Sequence, residues 1–175
     1  MHLARTRSLF FLASFACVLI MGVVVYLERV IGVMPCPLCY VQRALLFSFS
    51  IVCLLATVHS PGRAGWRVYS GVLLLVASMG AAAAARQVWL QASPPENMES
   101  CLDSLQHLID TESWLNVMTS ILAGSAGCNE ITWSLFGISL PEWSLLAFAG
   151  ASLFALYYLC IEFRLPRPVD SGASD

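Results

Sequence analysis

Four long apolar stretches limit what this chain can fold into. Each is close to the roughly 20 residues that an α-helix needs to cross a bilayer. They are Leu9 to Leu27, Cys39 to Val58, Val68 to Leu90 and Trp143 to Ile161. Hydrophobic residues make up 58% of the 175 residues and charged residues only 11%, which is too apolar for a water-soluble domain. The sequence therefore predicts an all-α protein, a bundle of four transmembrane helices forming a single membrane domain over residues 1–175.

The first stretch must be distinguished from a cleaved signal peptide, because Arg5 and Arg7 precede it. Its end, VVVYLERV, offers no small-x-small cleavage site, and the apolar run is long for a signal peptide. We therefore expect this helix to be retained.

Arginine determines the predicted orientation, because the chain contains no lysine. Arginines precede the first span, separate the second from the third and follow the fourth: Arg5, Arg7, Arg63, Arg67, Arg164 and Arg167. The positive-inside rule makes these segments cytoplasmic. Both termini are then inside, including a tail at 164–175, and the loops at 28–38 and 91–142 are outside. The longer outer loop carries several acidic residues and no arginine.

The 7 cysteines divide according to this topology. Those within the spans are predicted to be small buried hydrophobic residues: Cys17, Cys53 and Cys160. The others lie at the outer face: Cys36, Cys39, Cys101 and Cys128.

The outer cysteines allow more than one interpretation. A bridge between Cys101 and Cys128 would suit a structural disulfide that staples a loop. A bridge between Cys36 and Cys39 closes almost no loop and removes little unfolded-state entropy, so this C-x-x-C pair favours redox chemistry. Zinc bound by thiolates is the next alternative, but the second pair is widely spaced and faces an oxidising space. We expect no metal site.

The segment PCPLCYVQR begins the second span and contains the C-x-x-C pair. Pro37 biases Cys36 toward extended geometry, so the helix is predicted to begin near Leu38 or Cys39. In the first turn, unpaired N–H groups and the helix dipole favour a Cys39 thiolate. Arg43 lies on the same helical face, where its charge favours that thiolate further and its N–H groups can reach a ligand carbonyl. The alternative for Arg43 is an ordinary snorkelling arginine.

These motifs resemble those of the bacterial DsbB family, inner-membrane proteins that reoxidise the periplasmic thiol oxidase DsbA and pass the electrons to quinone. CPLCYVQR is similar to C-x-L-C-x-x-x-R at the start of the family's second span, and RQVWLQ resembles the end of its third. GCNEITWSLFGISLPEWSL is similar to its second-loop cysteine followed by W-x-F-x-G and P-x-W. Leu135 stands where that pattern has Phe, and Gln42 stands where some members carry an acidic residue.

The resemblance implies a protein-dithiol:quinone oxidoreductase in the bacterial cell inner membrane, with its active sites facing the periplasm. It also implies two redox disulfides, Cys36–Cys39 and Cys101–Cys128. A DsbA-like oxidase would attack at Cys101, Cys128 would exchange at Cys36, and Cys39 would face the quinone with Arg43 assisting. The implied partners are this oxidase, ubiquinone or menaquinone, and the lipid bilayer, with no nucleic acid among them.

Three further segments carry predictions. AGSAG, at 123–127, is a small-residue hinge before Cys128. WLNVMTSIL, at 114–122, has an apolar stripe that favours a helix lying on the membrane surface, or one packed against the rest of its loop. GAAAAA, at 80–85, is typical of a face where helices pack closely.

Overall fold

The computed structural model describes residues 2–32, 37–59, 61–92 and 134–164. Within these ranges, 4 helices are long and apolar enough to cross a membrane, which confirms the predicted four-helix membrane bundle. The elements in chain order are α1 (His2–Tyr26), a π-helical turn (Leu27–Ile31), α2 (Pro37–His59), α3 (Arg63–Ala92), β1 (Ser134–Leu135), β2 (Ile138–Ser139) and α4 (Leu140–Arg164).

The helices pack in a chain of neighbours. α1 packs on α2, α2 on α3, and α3 on α4. α2 begins at Pro37, slightly earlier than predicted, because proline has no N–H to lose in the first helical turn.

An aromatic cluster closes the end of the bundle that holds the N-terminus. Phe10 of α1 is fully buried, with its ring centroid 4.9 Å from that of Trp66 on α3. It also lies 5.3 Å from Phe154 and 5.2 Å from Tyr158, both on α4. These edge-on and tilted contacts join three helices around one ring. Arg7 lies at the same end and donates from Nε to the carbonyl of Thr57, 3.2 Å away.

The interface between α1 and α2 contains a polar contact in its interior. The hydroxyls of Ser14 and Ser50 are buried and lie 3.0 Å apart, and each also reaches the other residue's backbone carbonyl. Hydrogen bonds of this kind fix how neighbouring helices meet in an apolar environment.

The cysteines inside the spans differ in their surroundings. Cys17 and Cys53 are buried, as predicted. The prediction was wrong for Cys160, which is exposed on α4. An apolar span has a side that faces lipid as well as a side that faces the core. The hydrophobic periodicity of this span is too weak to tell on which of the two sides Cys160 lies.

The predicted small-residue face of α3 packs against α4. Ala83 and Ala84 are buried, and Gly80 lies directly beneath the ring of Phe148. A Cβ at Gly80 would stand 2.2 Å from the ring's Cε1 atom, so the absence of a side chain is what lets the ring lie there.

A two-stranded hairpin leads into α4. Ser134 pairs with Ser139 and Leu135 with Ile138, around a turn in which Phe136 and Gly137 have φ of 56° and 80°. Two successive positive φ angles are the mark of a type I′ turn, which suits a two-residue hairpin loop.

The hairpin forms hydrogen bonds with α4, which follows it in the chain, and with α3, which precedes it. The Ser139 N–H donates to the Glu142 carboxylate, 2.6 Å away, in a capping arrangement at the start of α4. The Ser139 hydroxyl donates to Oε1 of Gln91 near the end of α3, at 3.2 Å. The hairpin thus connects the ends of α3 and α4.

Candidate functional site

The predicted site residues fall into two groups. Cys39 and Arg43 lie on α2 and are described. Cys36, Cys101 and Cys128 lie outside the described residues, as do the predicted hinge at 123–127 and the predicted surface helix at 114–122. Their assignments therefore stay predictions, and the site is built here from the residues around Cys39.

Cys39 lies in the first turn of α2, half-buried against α3. Its sulfur accepts a hydrogen bond from Nε2 of Gln87, 3.2 Å away, and the thiol also donates a longer one to Oε1 of the same amide, 3.7 Å away. The shorter contact therefore presents an N–H donor to the sulfur. A donor in this position stabilises negative charge on the sulfur, as the first-turn N–H groups of α2 also do.

A second glutamine holds the first. Gln42, one turn along α2 from Cys39, donates from Nε2 to Oε1 of Gln87 at 2.7 Å. Gln42 and Gln87 are only 5% and 4% exposed, so both amides are removed from lipid and water. No role for Gln87 is predicted from the sequence, although a glutamine inside an apolar span is a signal, because an unpaired amide is costly there.

Arg43 contacts two side chains other than those around Cys39. It forms an ion pair with Glu28, in which the two side chains are 20% and 24% exposed. Its guanidinium also lies over the Tyr40 ring, 5.5 Å from the centroid. Nε of Arg43 is buried and has no hydrogen-bond partner among the described residues, so one N–H donor of the guanidinium is unsatisfied there.

The helical spacing of Cys39 and Arg43 predicts that the guanidinium lies beside the Cys39 thiolate. The contacts described for Arg43 are instead to Glu28 and Tyr40, while Gln87 donates to the sulfur. Spacing along one helix could not reveal these partners, since Glu28 belongs to the preceding helix and Gln87 to the following one.

Glu28 lies in the π-helical turn that extends α1. This turn spans Leu27–Ile31 and ends at Gly32, whose φ of 75° is left-handed. A π-helical turn contains one residue more than an α-helical turn, so the side chains beyond it point in different directions than they would in a continuous α-helix. Gly32 accepts the left-handed conformation without a Cβ clash and ends the helix.

An apolar groove runs between α1 and α2 below the ion pair. Its volume is about 360 Å³. We call it the α1–α2 groove; it is lined by Cys17, Val18, Met21, Gly22, Val25, Leu46, Phe47 and Ser50. Val25 lies about one helical turn from Glu28, and Leu46 and Phe47 about one turn from Arg43, so the upper end of the groove is next to the charged pair.

Arg86 directly precedes Gln87 on α3. Its guanidinium is 4.7 Å from the Trp89 ring centroid. A stacked arginine and tryptophan are typical of the membrane–water boundary.

The chain is similar to proteins named for disulfide bond formation over most of its length. The family model described as "Disulfide bond formation protein DsbB" matches residues 6–158. "Disulfide bond formation protein B 2" of Pseudomonas syringae pv. syringae is 48% identical over 162 residues, which cover 93% of this chain and 93% of that protein. "Disulfide bond formation protein B" of Stutzerimonas stutzeri is 42% identical over 159 residues, which cover 91% of this chain and 98% of that protein.

These matches agree with the four apolar helices and with the cysteine at the start of α2. The family name implies a thiol oxidoreductase role for its members. The chain therefore belongs to the DsbB family of disulfide bond formation proteins and is a multi-pass membrane protein.

Proposed function

We propose that this protein reoxidises a periplasmic dithiol oxidase similar to DsbA and transfers the electrons to membrane quinone. The observation that carries the proposal is the position of Cys39, in the first turn of a membrane-spanning helix and next to the N–H of Gln87. A sulfur at a membrane boundary is accessible to a soluble thiol protein from one side and to a lipid-soluble acceptor from the other. The site thus suits a reaction that connects the two phases.

The proposed relay moves one electron pair through two disulfides. A thiolate of the reduced oxidase attacks the Cys101–Cys128 disulfide at Cys101, and the oxidase's second thiol resolves the mixed disulfide. Cys128 then attacks Cys36 in the Cys36–Cys39 disulfide, and Cys101 resolves that intermediate, which restores the first disulfide. The Cys36–Cys39 dithiol finally gives two electrons and two protons to quinone, yielding quinol and a re-formed disulfide.

The residues around Cys39 fit quinone as the second substrate. A quinone carbonyl accepts hydrogen bonds, and the buried Nε of Arg43 has no partner within the described ranges. The α1–α2 groove offers an apolar space of about 360 Å³ one turn away, suited to a hydrocarbon tail. In this proposal Arg43 binds and orients the quinone ring, and Glu28 fixes the position of Arg43.

The arginine distribution supports the cellular orientation. Arg63 and Arg67 at the start of α3 fall on the inner side by the positive-inside rule, which puts the start of α2 on the outer side. In a bacterial inner membrane that side is the periplasm, where disulfides persist. Cys39 then faces the compartment of the proposed protein partner.

The proposal is tested with the full chain in lipid nanodiscs. The purified protein is mixed with a reduced DsbA-like oxidase and with short-chain ubiquinone or menaquinone, and quinone absorbance is followed. We expect Cys101→Ser and Cys128→Ser each to abolish reduction that depends on the oxidase. Arg43→Ala should raise the KM for quinone about tenfold, the loss expected for one hydrogen bond from a charged donor.

Arg67→Ala provides the matched control. Arg67 is also an arginine on a spanning helix, but it lies over the Phe163 ring at the opposite end of the bundle, 4.8 Å from its centroid. This variant should keep the KM for both substrates. If the intact chain fails to reduce either quinone, while a reductant changes only its stability, the outer disulfides are structural and the proposal is wrong.

A further inference from the structure

Two buried glutamines and Cys39 form a chain of hydrogen bonds between α2 and α3. Gln42 donates to Gln87 at 2.7 Å, and Gln87 donates to the Cys39 sulfur at 3.2 Å. In the relay proposed above, Gln87 appears only as a neighbour of Cys39, and Gln42 has no part. The connection spans 45 and 48 residues of sequence, so it depends on how the two helices pack.

The direction of this chain follows from the chemistry of an amide. A glutamine side chain has one end that donates and one end that only accepts. Gln42 presents its donor to Gln87, and therefore occupies the accepting Oε1 atom of Gln87. The other end of Gln87, its Nε2, is the amide atom nearer to the sulfur, at 3.2 Å against 3.7 Å for Oε1.

A reversal of the Gln87 amide would change the sign of its effect. Its carbonyl oxygen would then be the amide atom nearer to the sulfur, and that oxygen repels a thiolate rather than stabilising it. Reversal would also place the Nε2 donor of Gln42 against the Nε2 donor of Gln87, which leaves both without an acceptor. Because both side chains are buried, water is not at hand to relieve either mismatch.

We propose that Gln87 is a positioning residue that stabilises the Cys39 thiolate, and that Gln42 acts through Gln87 by fixing the orientation of its amide. The inference rests on the proposed function in one respect, that Cys39 is the thiolate of the membrane-side disulfide. It adds to that function a source of thiolate stabilisation on α3.

The test measures Cys39 itself, without quinone and without a protein partner. The full chain carries Cys36→Ser throughout, so that Cys39 cannot re-form its proposed disulfide. The rate of Cys39 alkylation by iodoacetamide is measured against pH by mass spectrometry of the Cys39 peptide. Methionine replaces each glutamine in turn, because it matches the length of the side chain without its amide.

Gln87→Met should lower the alkylation rate near pH 7 about tenfold and move the pH profile upward by about one unit, the effect of one hydrogen bond to a charged group. Gln42→Met should cause a smaller loss, because the Gln87 amide is then free to rotate. In a chain that already carries Gln87→Met, the Gln42→Met change should have no further effect.

Gln91→Met is the matched control, since Gln91 is also an α3 glutamine, one turn beyond Gln87, but it accepts from Ser139. Its pH profile should equal that of the parent chain. The inference is overturned if the Gln87→Met profile coincides with that of Gln91→Met, or if Gln42→Met has its full effect without Gln87. Since no quinone is present, such a result leaves the relay standing, whereas failed quinone reduction with a normal alkylation profile contradicts the relay alone.

Discussion

The contact between Gly80 and Phe148 gives the sharpest prediction for stability. Gly80→Ala adds one methyl group whose carbon would lie 2.2 Å from Cε1, 2.4 Å from Cδ1 and 2.6 Å from Cζ of the Phe148 ring. Carbon atoms in favourable contact are about 3.5–4.0 Å apart, so the ring must retreat by more than about 1 Å. Phe148 is only 3% exposed, which leaves little room for that movement.

The size of the effect follows from two opposing terms. Overpacking of this kind costs about 1–3 kcal/mol, which corresponds to a roughly 5- to 150-fold change in the folding equilibrium. Alanine also forms helix more readily than glycine, by up to about 1 kcal/mol. The second term is common to any glycine of α3, so a control at a glycine whose Cβ would meet no other atom isolates the packing term.

Gly71→Ala is that control, because Gly71 lies on the same helix and its Cβ would have no neighbouring atom within 4 Å. Both variants are unfolded reversibly in mixed micelles with increasing SDS, and helix content is followed by circular dichroism. We expect Gly80→Ala to be less stable than Gly71→Ala by about 1–3 kcal/mol. Phe148→Leu should cost less in the Gly80→Ala chain than alone, because the smaller side chain relieves the clash. Equal stability of the two alanine variants would refute the close packing of α3 on α4.

Two further predictions concern α1 and the π-helical turn that extends it. Ser14→Ala removes a buried hydroxyl that bonds to Ser50, and in the same SDS titration it should lower the free energy of unfolding by about 0.6 kcal/mol, the typical value for such bonds between membrane helices. A loss above about 2 kcal/mol would show that the hydroxyl does more than join the two helices. Glu28→Gln weakens the partly exposed ion pair with Arg43, which is worth up to about 1 kcal/mol, and should raise the KM for quinone in the reduction assay by no more than about fivefold. An effect as large as that of Arg43→Ala would mean that Glu28 itself contacts the substrate.

The four-helix fold could be predicted from the sequence because membrane insertion depends on local composition. A run of apolar residues long enough to span the bilayer can be recognised without knowing which segments pack against it. The close packing at Gly80 was equally visible as a small-residue stretch. The exposure of Cys160 was not, because an apolar helix in lipid has no polar side to mark which face turns outward.

The site could be predicted only along single helices. Cys39 and Arg43 were identified because both belong to one motif in the first two turns of α2. Their observed partners, Gln87 and Glu28, come from other helices, and the Cys39–Gln87 contact joins residues 48 positions apart. Such contacts depend on helix rotation, which the π-helical turn at Leu27–Ile31 changes in a way no spacing argument anticipates.

The hydrogen bond between Ser139 and Gln91 has a kinetic consequence. It joins the two points where the segment between α3 and α4 leaves and re-enters the described bundle, and Gln91 lies one helical turn from the glutamine that contacts Cys39. A thiol on that segment, Cys128 as proposed above, therefore attacks the Cys36–Cys39 disulfide as an intramolecular reactant, at an effective concentration set by chain length. In the proposed relay, exchange between the two disulfides is then first order and insensitive to dilution, whereas the step with the soluble oxidase is second order and slows as the oxidase is diluted.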